Sequence, residues 1–134
     1  MVLEGWKEML DHARPFLDSA RENAAKGPER AVVAFDEARH AAELAAKAIL
    51  LRAEHVIVEK DHRMGRHLGR YGLMPSTYAI KAWNRFFAEH TKAAYGLYEQ
   101  LDQQEIAEAI SMAQTMLQAC EFYPDFAFHP PRTV

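Results

Sequence analysis

A chain of 134 residues, 49% apolar and 26% charged, has room for one domain with its own core, and its composition excludes wholesale disorder. The net charge of −3 gives no global attraction for nucleic acid, so any anion-binding surface has to be local. The single cysteine, Cys120, excludes an internal disulfide framework and any zinc cluster built on several cysteines. No apolar run is long enough to span a bilayer, and the opening Met-Val-Leu-Glu-Gly-Trp-Lys has no basic region followed by an apolar stretch. The expectation is a cytoplasmic single domain over residues 1–134, with its core in about 4–122 and an extended tail over 123–134. Alanine accounts for 23 residues, β-branched residues are scarce, and no alternating run of strand length occurs. That composition predicts an all-α fold.

The first helix is expected from about Val2 to Ala25, with a kink or a short pre-helix at Pro15 and an end at Gly27-Pro28. Pro28 suits the opening of a second helix from about Glu29 to Arg52 or slightly beyond. His55 to Asp61 reads as either extended chain or a frayed helix end. A short third helix covers about Asp61 to Arg70 and closes at Tyr71-Gly72. A fourth runs from Ser76 to about Tyr98. The fifth opens on the capping-box-like Asp102-Gln-Gln-Glu105 and continues to about Phe122, where Pro124 stops it.

Apolar spacing predicts how these helices pack. Ile106, Ile110, Ala113, Leu117 and Cys120 form one seam on the fifth helix, and Trp83, Phe87, His90, Ala94 and Leu97 form another on the fourth. The second helix carries Ala31, Ala34, Ala38, Ala41, Ala45 and Ala48 on one face, and such small residues let helix axes approach closely. It belongs at the centre of an up-and-down bundle of four to five helices with mostly antiparallel neighbours. A surplus apolar face on the alanine-rich second helix or the aromatic fourth helix predicts a homodimer, with one of them supplying part of the interface.

Three constellations could carry chemistry. Glu37–His40 and Glu59–His62 have the Glu-x-x-His spacing of a di-iron bundle, but His40 and Glu59 lie too close in sequence for a full helix between them. No metal site is expected, and no cofactor. The Glu37–His40 pair reads better as part of a solvated helix face. The segment Lys60-Asp-His-Arg-Met-Gly-Arg-His-Leu-Gly-Arg70 holds four cations against one carboxylate. Helical spacing sets His62 beside Arg66 and Arg63 beside His67, with Arg70 one turn after Arg66. Such a patch suits the phosphates of RNA or a nucleotide; the alternative is a solvated face or a surface that docks a partner chain. Finally, Arg85 and His90 could supply a phosphate clamp and a proton-transfer group for metal-independent RNA cleavage. An uninterrupted helix sets them about 140° apart, and His90 falls on the apolar seam of the fourth helix, so a bulge or a second copy would be needed to bring them together.

The second helix reads Phe35-Asp-Glu-Ala-Arg-His-Ala-Ala-Glu43-Leu-Ala-Ala-Lys47-Ala48-Ile-Leu-Leu51. It resembles the signature helix of the HEPN domain family, and the order of the other helices is similar over about residues 4–122. The resemblance implies a dimeric helical bundle. It also implies one of two activities: a metal-independent ribonuclease of toxin type, or a non-catalytic module that binds a nucleotide or a minimal nucleotidyltransferase partner. Active members of the family carry Arg-x4–6-His with a polar residue after the arginine and a tyrosine shortly after the histidine. Arg85 and His90 match that spacing, but Phe86 follows the arginine and Tyr95 is the nearest tyrosine beyond the histidine. The branch that this sequence most resembles carries Arg-Tyr-Pro between its last two helices; Ala94-Tyr95-Gly96 stands in that place here, without the arginine and the proline.

Overall fold

The computed structural model describes residues 5–54, 57, 68 and 103–125. All regular structure among them is helical, in agreement with the expected fold class. Three long helices pack together: α1 (Gly5–Ala25), α2 (Ala31–Glu54) and α3 (Gln103–Glu121). They match the first, second and fifth predicted helices. The fourth predicted helix and the C-terminal tail beyond Asp125 lie outside the described residues. Leu68, from the third, is helical and fully buried.

α1 continues as one helix through Pro15, so no separate pre-helix forms. Proline removes one backbone donor and crowds the preceding turn. That local cost is offset by the apolar stripe on either side, where Leu10, Ala13, Leu17 and Ala20 are buried. The helix ends where Lys26 N donates to Asn23 O and Gly27 takes a φ of 117°, a left-handed conformation open to glycine at little cost. α2 then starts two residues later than the spacing predicts. Pro28–Arg30 form a 3-10 turn in which Arg30 N donates to Gly27 O at 3.1 Å, and the α-helix takes over at Ala31.

α2 is the central helix. All six alanines of the predicted inner face are buried, and so are Phe35, Ala42, Glu43, Ala46, Ile49, Leu50 and Leu51. A stripe of alanines on one side and a second buried side leave this helix with little exposed face beyond Val32 and Val33 at its start. On α3 the predicted seam holds at Ile106, Ala113, Leu117 and Cys120, while Ile110 packs at the edge of the core. Ala109, Met112, Met116 and Ala119 widen that seam into a broad buried face.

Helix directions follow from which ends meet. Trp6 at the start of α1 stacks on Arg52 at the end of α2, and Asn23 near the end of α1 bonds Glu37 in the first half of α2, so these two run antiparallel. Arg14 reaches Glu121 and Arg21 reaches Gln114, which makes α1 and α3 antiparallel as well. α2 and α3 therefore run parallel, with Arg52 against the last residues of α3. Two of the three pairs are antiparallel, as expected for most neighbours; α2 and α3 form the parallel pair, with residues 55–102 between them in sequence.

Candidate functional site

Every residue that the sequence marks for chemistry on the third and fourth predicted helices lies outside the described residues: His62, Arg63, Arg66, His67, Arg70, Arg85 and His90. The structure does describe α2, the helix whose sequence carries the family resemblance.

The most unusual feature of α2 is a charged pair inside its alanine-rich middle. The Glu43 side chain is 4% exposed and Arg39, one turn earlier, is 11% exposed. Arg39 Nη1 donates to Glu43 Oε1, and Arg39 Nη2 contacts Asp36 Oδ1 at 3.3 Å, with the Asp36 side chain half in solvent. The three residues form a charge ladder along the helix, from solvent at Asp36 to the interior at Glu43. Spacings of three and four residues place them on one side of the helix, which is why a single element can build it. Arg39 Nε is buried and makes no hydrogen bond. Arg39 stands four residues before Glu43, a legible ion-pair spacing that the sequence reading did not single out.

Glu37 and His40 are not on a freely solvated face. Both are half-buried in the seam between α1 and α2. Glu37 Oε1 accepts from Asn23 Nδ2 at 2.6 Å, and the His40 ring meets the edge of Phe16 with centroids 4.4 Å apart. Asn23 also donates to Ser19 Oγ at 3.4 Å, so a buried amide joins the two helices through a satisfied polar contact. Among the described residues no group of three or more His, Cys, Asp or Glu side chains is placed to hold a metal ion.

Two further features sit where α3 meets its neighbours. A groove of about 250 Å3 opens between α1 and α3, floored by Leu17 and Leu117. Arg14–Glu121 at 3.4 Å and Arg21–Gln114 at 2.8 Å bridge it, and Arg21 also pairs with Asp18 at 3.6 Å. At the end of the bundle, the Arg52 guanidinium lies 4.0 Å from the Trp6 ring centroid and bonds the carbonyls of Cys120 and Glu121. No described helix is long and apolar enough to cross a membrane.

Cys120 is fully buried on the core side of α3. Burial pushes its thiol up from 9.0 to about 12; the Arg52 charge opposes the shift and Glu121 adds to it. The thiolate is the reactive form, so native protein at pH 8 should resist alkylation by iodoacetamide and react only when unfolded. Rapid labelling without loss of helicity would contradict the packing described. The same shift has a pH consequence. Above pH 9 the unfolded chain sheds a proton that the folded chain keeps until about pH 12, so the stability held below pH 9 is lost progressively across that window.

The described residues form an all-α arrangement of helices packed around an alanine-rich central helix, with an ion pair inside it. The chain matches the HEPN domain family over residues 6–123 and belongs to that family. No curated protein and no solved structure gives a significant match.

Proposed function

We propose that this HEPN domain works as a helical interaction and nucleotide-binding module. It acts as a homodimer, pairs with a nucleotidyltransferase-type partner and does not itself cleave RNA. The observation that carries this reading over an enzymatic one is the place of Arg85 and His90 in the sequence. On a continuous helix over Ser76–Tyr98 they diverge by about 140°, and Phe86 stands where active family members place a polar residue. The stretch from Lys60 to Arg70 supports an anionic ligand, with His62, Arg63, Arg66, His67 and Arg70 as the phosphate-binding set. A specific observation also favours the second reading, a metal-independent ribonuclease. Arg85 and His90 keep the family's spacing, which gives His90 as the proton-transfer group and Arg85 as the phosphate clamp.

One labelled RNA pool in EDTA tests both. Wild type should bind it without cleaving it, and Arg66→Glu with Arg70→Glu should weaken binding at least tenfold with helicity unchanged. Cleavage by wild type that Arg85→Ala and His90→Ala each abolish would replace the module with the ribonuclease. Unchanged binding by the charge-reversed variant would remove the basic stretch from the site. Pairing has its own check: light scattering at micromolar concentration should give twice the 15.3 kDa of one chain. A single-chain mass would rule the homodimer out.

A further inference from the structure

We draw no further inference here: the strongest candidate, the polar groove between α1 and α3 floored by Leu17 and Leu117, has both of its arginines taken up by Asp18, Gln114 and Glu121, and nothing in the structure shows what covers it.

Discussion

Replacing Glu43 by alanine is expected to destabilise the domain by about 3–5 kcal/mol, the usual cost of leaving a buried charge without its partner. Arg39 is only 11% exposed and Glu43 4%, so neither charge recovers full hydration when the other is removed. Asp36 would still contact Arg39 Nη2, but its side chain is half in solvent, where such a pair contributes about 1 kcal/mol or less. With a total stability of about 5–15 kcal/mol for domains of this kind, Glu43→Ala should move the urea midpoint far down while leaving the m-value unchanged. The double variant Arg39→Met, Glu43→Leu decides what the pair is for. Removing both charges and filling the same volume should cost much less than the single change, and by precedent such replacements are neutral or even stabilising. If Glu43→Ala costs less than about 1 kcal/mol, the pair is not buried as described. If the double variant is as unstable as the single one, the two charges are not coupled. A stable double variant that has lost RNA binding would assign the ladder to function rather than to folding.

The central position of α2 was legible because alanines recur at a helical period from Ala31 to Ala48, and only a close neighbour makes so many small side chains worth burying. Its second buried side was less so. A helix enclosed on most of its circumference has no polar face to set the phase, and Ala42 and Ala46 look the same whether buried or exposed. The burial of Glu43 was not legible for a related reason. A glutamate on a helix reads as solvated by default, and only the tertiary environment reveals that it lies inside. The start of α2 shifted because Pro28 is compatible with the first turn of either helix type. The seam on α3 was found because its period is clean, but the parallel relation of α2 to α3 depends on the path of the chain between them, which spacing does not encode. For the candidate site, the sequence supplied residue types and spacings, Arg85 with His90 and the cations from Lys60 to Arg70. What brings such groups together is packing between helices remote in sequence, which no local period reports.

Arg52→Ala should cost about 2–4 kcal/mol and should act first on the end of α3. The carbonyls of the last helical turn have no partners within the helix: Phe122 N donates to Gln118 O at 2.9 Å and Tyr123 N to Cys120 O at 3.4 Å, and Arg52 Nη1 donates to Glu121 O at 2.9 Å and also to Cys120 O. Hydrogen bonds from a charged donor contribute roughly 1.5–3 kcal/mol. The guanidinium also stacks on Trp6 at 4.0 Å and lies 5.9 Å from the Tyr123 ring, and a partly exposed cation–π contact adds about 0.5–1 kcal/mol. A cation at this position further opposes the negative ends of α2 and α3, which lie side by side because the two helices are parallel. One side chain thus ties the start of α1, the end of α2 and the end of α3. Arg52→Lys keeps the charge but loses the planar fork that bonds and stacks at once, so it should recover less than half of the loss. Amide exchange distinguishes this from general weakening. The Phe122 amide, which donates to Gln118 O, and the Asp125 amide, which donates to Phe122 O, should exchange much faster in Arg52→Ala than amides in the middle of α2. Acceleration by the same factor throughout all three helices would mean that Arg52 contributes to the core as a whole, and that the end of α3 is held by its own turn at Phe122 to Pro124 instead.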